Sequence, residues 1–232
     1  MLNYVDYKIG DNPKKLVIFL HGYNGNIEDH QYAIDWLINS LTSAYLIIPK
    51  APEICDKNPK KRQWFGMLKY DPENLRTKSN TSIKEIFDIY NKSSQEISKR
   101  SKEVNTLIDT IQNKYDIKNE NTYIIGFSQG AMLTIYTALT RKQEIASAFP
   151  IAGIIAGYSL LEKEQQSCPK LYLHHGEADM KVQYKTHKQT LRWLKKHGVS
   201  GQCNTYPNIV HRITEQEINN ISKIINLDIN NS

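Results

Sequence analysis

Cysteine is scarce and scattered: Cys55, Cys168 and Cys203 stand far apart and form no C-x-x-C pair. That spacing argues against a disulfide framework and against a zinc site built on paired thiolates, and it suits a reducing compartment. Long hydrophobic runs are missing as well. The most apolar stretch, around Ala148 to Gly157, is too short to span a bilayer, so no transmembrane segment is expected. The opening residues, with Asp6, Lys8, Asp11, Lys14 and Lys15, lack the apolar core of a signal peptide, and the expected location is cytoplasmic. Neither sign of charge dominates, with 30 Lys and Arg against 24 Asp and Glu for a formal net charge of +6. Basic residues are spread along the chain, and their densest cluster, Lys57 to Arg62, lies among Pro52, Pro59 and Pro72 in an expected loop. No helix pattern carries a basic stripe interleaved with stacking aromatics, so no nucleic-acid partner is expected.

Short apolar runs alternate with helical patterns, the signature of an α/β protein with a mostly parallel central sheet and helices on both faces. The runs are Leu16 to Leu20, Tyr45 to Ile48, Tyr123 to Ile125, Ala146 to Ile151 and Leu171 to Leu173, with a weaker one near Cys203 to Tyr206. Tyr32, Trp36, Leu37 and Leu41 follow helical spacing. Ser93-Ser94-Gln95-Glu96 predicts a capping box opening a long helix, and Thr214-Glu215-Gln216-Glu217 predicts a second opening the last one. Tyr184, His187, Leu191 and Leu194 mark a helix closed by His197 and Gly198. With 232 residues, no internal repeat and no linker tract, a single domain over 1–232 is expected. The segment from about 50 to 84 fits neither period. It reads as a lid-like excursion over the carboxyl edge of the sheet, where such proteins carry substrate walls.

The most informative run is Gly126-Phe127-Ser128-Gln129-Gly130, set between the apolar strand pattern ending at Ile125 and the helix-compatible Ala131 to Tyr136. It reads as a nucleophile elbow, in which a tight strand-to-helix turn pushes a Ser hydroxyl into solvent and flanking glycines let strand and helix approach. A Ser attacks only if a base takes its proton, and a carboxylate must orient that base. In chain order Ser, acid, His, the candidates after Ser128 are Asp179, on the loop leaving the Leu171 run, and His211, just before the Thr214 cap. Glu177 competes with Asp179 as the orienting carboxylate. His187 and His197 read as structural, His30 as helix surface, and His174 and His175 precede the acid and break the order. The oxyanion donors are expected at the backbone N–H of Gln129 and of Tyr23, the latter in His21-Gly22-Tyr23-Asn24-Gly25 after the first apolar run. His21 belongs to that loop and is not read as the base.

Together, His21-Gly22-Tyr23, Pro49-Lys50-Ala51-Pro52, Gln63-Trp64-Phe65, the Gly126–Gly130 elbow and His175-Gly176-Glu177-Ala178-Asp179 resemble the phospholipase/carboxylesterase family of α/β-hydrolases, which includes the acyl-protein thioesterases. The resemblance runs from about Lys15 to Ile225. It implies the α/β-hydrolase fold, a serine esterase or thioesterase with Ser128, Asp179 and His211 as triad, oxyanion donors at Tyr23 and Gln129, and Trp64 and Phe65 walling the acyl site. The chain departs from the family's pattern where Val210 replaces a Gly before the catalytic His, and where Met180-Lys181-Val182-Gln183 replaces a hydrophobic-then-Pro segment. Lys181 and Arg212 would then favour an anionic leaving group.

The implied chemistry is acyl transfer to Ser128 followed by hydrolysis, with no cofactor and no metal. Its substrate would be a small acyl ester, a lysolipid or an acylated protein. A lysophospholipase is the alternative within enzymes, and a non-catalytic binding protein on the same fold is the alternative of another class. Exposed aromatics of the 50–84 excursion would serve a homodimer as readily as a substrate.

Overall fold

A computed structural model describes residues 1–227. In chain order the strands are β1 (Tyr4–Ile9), β2 (Leu16–Leu20), β3 (Ala44–Pro49), β4 (Glu53–Ile54), β5 (Arg62–Gln63), β6 (Thr122–Phe127), β7 (Ser147–Ile151), β8 (Lys170–Gly176) and β9 (Gly201–Tyr206). The helices are α1 (Gln31–Ser40), α2 (Ile83–Asn91), α3 (Ser94–Tyr115), α4 (Gln129–Thr140), α5 (Tyr158–Glu164), α6 (His187–Lys196) and α7 (Glu215–Leu227). Seven strands form one sheet in the order β1-β3-β2-β6-β7-β8-β9. Only β1 runs antiparallel, against β3.

All five residues of β2 and all six of β6 are buried, because helices cover the sheet on both sides and leave neither face to water. The period of two still sorts them. Leu16, Ile18, Leu20 and Ile124 pack with Val104, Leu107 and Leu133 of α3 and α4, whereas Val17, Phe19 and Ile125 pack with Ile34, Leu37, Ile218 and Ile221 of α1 and α7. The chain leaves β2 on one side to build β3 and returns on the other to build β6, so strand order reverses between β2 and β6. In open α/β sheets the crevice beyond the carboxyl ends at such a reversal is where ligands bind. The His21 loop and the Ser128 elbow both leave the sheet there.

Some expectations are corrected. Edge strand β1 has no apolar run to announce it: four of its side chains are half-buried, and Asp6 and Lys8 between them are exposed. The Ser93 box does not form, since α2 ends just before α3 and the Ser93 hydroxyl bonds back to Tyr90 O at 2.7 Å. A full box instead opens α2 at Ser82 and Glu85. The Thr214 box is present, with Glu217 N donating to Thr214 Oγ1 at 3.3 Å and Thr214 N to Glu217 Oε2 at 2.7 Å. On α1 the buried face is Ala33, Ile34 and Leu37, while Tyr32 is exposed. His30 is buried, its Nδ1 donating to Asn26 O at 3.0 Å and its ring against Phe127. It lies in a short 3₁₀ turn before α1, so the helical wheel does not govern where it points. The 50–84 excursion holds the β4–β5 hairpin and a 3₁₀ turn at Leu75–Thr77. Among the described residues, no helix is long and apolar enough to cross a membrane.

Candidate active site

Ser128 follows β6 directly and caps α4 with φ 55° and ψ −115°, a backbone conformation that a non-glycine residue holds only where its surroundings impose it. Its N–H donates to Ile151 O at 2.9 Å, and its own carbonyl accepts from Met132 N at 3.1 Å, so the turn is tied to β7 and to the first turn of the helix. The flanking glycines are required by contact and not by dihedral freedom. A Cβ on Gly126 would lie 2.3 Å from Thr134 Oγ1, and one on Gly130 would lie 2.1 Å from Leu20 O. The second distance means that α4 starts directly against the carboxyl end of β2. Gly130→Ala is therefore expected to cost at least about 3 kcal/mol, because backbone must move to admit one methyl; an unchanged urea midpoint would show that the crevice can widen.

Ser128, Asp179 and His211 come from three separate loops and meet. His211 Nε2 lies 2.9 Å from Ser128 Oγ, and His211 Nδ1 lies 2.7 Å from Asp179 Oδ2. With Nδ1–H donating to the carboxylate, the Nε2 lone pair is left to accept from the Ser hydroxyl. Asp179 is buried, and its Oδ1 accepts from Lys181 N at 2.8 Å and Val182 N at 3.1 Å. Burial pushes this carboxyl up, but hydrogen bonds from His175 and His211 and the pull of the two imidazoles outweigh it and hold the pKa at about 2. Glu177 is exposed. Gly176 makes the meeting feasible: a Cβ there would sit 2.2 Å from Ile209 O, so the Asp179 turn lies flat on the loop that carries His211.

Tyr23 and Gln129 line the same cavity as Ser128, and among the described residues no acceptor is found for either backbone N–H. Their positions are enforced by neighbours. The buried His21 ring donates to Gly22 O at 3.0 Å and accepts from Ala51 N at 3.1 Å, and burial drives its pKa down to about 4, so it is a neutral brace. The Tyr23 hydroxyl donates to Asp56 Oδ1, whose other oxygen accepts from Met67 N and Leu68 N at 2.8 Å each. The Gln129 side chain accepts from Trp64 N at 2.8 Å and donates to Phe65 O at 2.7 Å.

That clamp explains a correction. Trp64 and Phe65 are fully buried and do not line the cavity; they sit behind it, with Trp64 Nε1 donating to His21 O at 2.8 Å. The apolar wall is made by Met67, Tyr90, Met132 and Val182, and Arg76, Lys57 and Lys181 also face the cavity of 330 Å³. Arg212 does not. Tyr90, Met132 and Arg76 lie on separate segments with no motif to join them, so nothing in the sequence marks them as one site. His174 bonds to the Tyr206 hydroxyl and His187 to Cys203 Sγ, both buried away from the nucleophile. His175 donates to Val182 O at 2.8 Å and comes within 3.4 Å of Asp179 Oδ2, bracing the acid from behind. Among the described residues, no group of three His, Cys, Asp or Glu side chains is placed to hold a metal ion.

The profile of the phospholipase/carboxylesterase family matches residues 7–229. Lysophospholipase-like protein 1 of Mus musculus is 25% identical over 222 residues, covering 90% of this chain and 84% of the relative. Acyl-protein thioesterase 1 of Candida albicans is 24% identical over 236 residues, covering 93% of each. The crystal structure of esterase PE8 superposes with a TM-score of 0.80 at 21% identity, covering 97% of each chain.

Proposed function

The chain belongs to the phospholipase/carboxylesterase family of α/β-hydrolases, and on that premise we propose that it cleaves carboxylic ester or thioester bonds of acyl substrates through an acyl-enzyme on Ser128. The observation that carries this reading is the unbroken chain from Ser128 Oγ through His211 to Asp179, opening into a cavity that Tyr23 and Gln129 also line. His211 Nε2 takes the Ser128 proton as Oγ attacks the carbonyl, and the resulting imidazolium is stabilised by the Asp179 carboxylate. The backbone N–H groups of Tyr23 and Gln129 meet the oxygen as it gains charge, and their rigidity means that no reorganisation is needed at that moment. His211 then returns the proton to the departing alcohol or thiol, and water repeats the cycle on the acyl-enzyme.

The test is a series of 4-nitrophenyl esters of increasing acyl length, run with a fluorophosphonate label. Turnover together with labelling of Ser128 supports the reading. Its optimum is expected among short acyl chains, because 330 Å³ lies near the lower end of small-molecule sites. Wild-type protein that neither labels nor turns over any ester would put the non-catalytic binding protein first.

A further inference from the structure

The Ser128 cavity is not the apolar slot that a plain hydrocarbon chain would need. Lys57, in the turn between β4 and β5, and Lys181, two residues past Asp179, are exposed at its mouth, while Arg76 is buried in its wall at 8% exposure. Among the described residues, those lining the cavity include no carboxylate. The nearby acids are all engaged elsewhere. Asp71 sits behind Arg76 with Oδ2 2.7 Å from Nη1, Asp56 serves the Tyr23 hydroxyl and the Met67 and Leu68 N–H groups, and Asp179 serves His211. Arg76 offers five N–H donors, and Asp71 with the Tyr90 phenol takes only part of them.

The charged side chains that line the cavity are Arg76, Lys57 and Lys181, and none of the three nearby carboxylates lines it, so an entering group meets cations first, and low-dielectric walls strengthen that contact. A long neutral chain would have to strip water from the Arg76 guanidinium without replacing its hydrogen bonds, which is unfavourable. Resting on the esterase reading above, we propose that the substrate is a short ester or thioester carrying a carboxylate or similar anionic group a few bonds from the scissile carbonyl, held by Arg76 with Lys57 and Lys181. Arg76 supplies the directional contact, since its planar fork can grip a carboxylate with two parallel bonds, and the two lysines supply attraction at the entrance.

The experiment compares three substrates at low ionic strength: 4-nitrophenyl butyrate, 4-nitrophenyl hemiglutarate with the charge on the acyl side, and 3-carboxy-4-nitrophenyl butyrate with the charge on the leaving group. Each kcat/KM is divided by the ester's own rate with hydroxide, to remove intrinsic reactivity. At least one anionic ester is expected to exceed the neutral one about tenfold, and which of the two wins locates the charge on the acid or the alcohol part. Within Lys57→Gln/Lys181→Gln, whose two sites are exposed and safe for folding, the anionic-to-neutral ratio is expected to fall several-fold. Adding Arg76→Met with Asp71→Asn, which removes the buried pair together, is expected to bring it close to one. Equal turnover of all three esters by the wild type, or a ratio that survives the variants, would overturn this proposal and leave the esterase reading standing. Failure to turn over any of the three would strike the esterase reading itself.

Discussion

Ser128→Ala is expected to lower turnover of a short 4-nitrophenyl ester on the order of 10⁶-fold and to abolish fluorophosphonate labelling, with KM little changed. The size follows from how the three groups act. Ser128, His211 and Asp179 are joined by hydrogen bonds of 2.9 and 2.7 Å, so losing the nucleophile forfeits the work of the base as well, and His211→Ala should cost about as much. Asp179→Asn is expected to cost about 10⁴-fold, because an amide in that place lets the imidazole present the wrong nitrogen to Ser128. Lys181 N and Val182 N would still need an acceptor, and the Asn oxygen can serve one side of them. Ser159, exposed on α5, provides the control, and its replacement by Ala should leave turnover intact. A loss at Ser159 comparable with that at Ser128, or activity surviving Ser128→Ala, would mean that the chemistry lies elsewhere.

Acidification from pH 7 to pH 5 should remove about 5 kcal/mol of folding stability, which is of the order of the whole stability of a typical domain. Three buried histidines are responsible. Burial lowers His21 to about 4, His187 to about 4 and His174 to about 3, each from 6.5. A smaller push comes from a neighbouring imidazole: His30 for His21, His175 for His187 and His187 for His174. Since the unfolded chain takes up these protons near pH 6.5 and the folded chain cannot until about pH 4 or 3, their contribution is complete above 6.5. It falls away as the pH drops, by up to about 1.4 kcal/mol per unit for each ring. His30, also lowered by burial, adds to the effect. Glu217 opposes it in part, since burial raises its carboxyl in the folded state. Asp179 enters only below about pH 4 and so is silent in this window. Urea unfolding at the two pH values measures the difference, and His174→Gln should shrink it by roughly a third. A loss under about 1 kcal/mol would mean that these rings are protonated or hydrated in the native state.

How much of this was legible from residues alone depended on whether one segment carried the whole signal. The elbow was, because strand, glycine, Ser and glycine are contiguous and each has a steric reason that the contacts of Gly126 and Gly130 make explicit. Asp179 and His211 were legible through chain order and loop position, and the choice over Glu177 needed burial, which the sequence does not state. Trp64 and Phe65 were misplaced because an aromatic pair looks the same in a substrate wall and in a core; the Gln129 clamp that draws them inward is a contact across the fold. His30 reads as helix surface in the sequence but ends a 3₁₀ turn directly before α1, where the helical period no longer says which way a side chain points. The cationic wall was partly visible in Lys181, but Arg212 points elsewhere, and its true companions, Lys57 and Arg76, come from a segment with no regular period.

One link in the site has a kinetic meaning. Tyr23, proposed above as an oxyanion donor through its main-chain N–H, lines the cavity while its hydroxyl holds Asp56, and Asp56 in turn holds the backbone of Met67 and Leu68 in the excursion. The Met67 wall and the Tyr23 loop are thus tied through the Asp56 carboxylate, alongside the bonds of Trp64 and Ala51 to His21. A substrate too bulky for the cavity could enter only by pushing Met67 outward, and the same displacement would draw the Tyr23 N–H away from the reacting oxygen. Oversized acyl groups should then be tolerated in the ground state and penalised at the barrier, so that selectivity for size is written in kcat more than in KM.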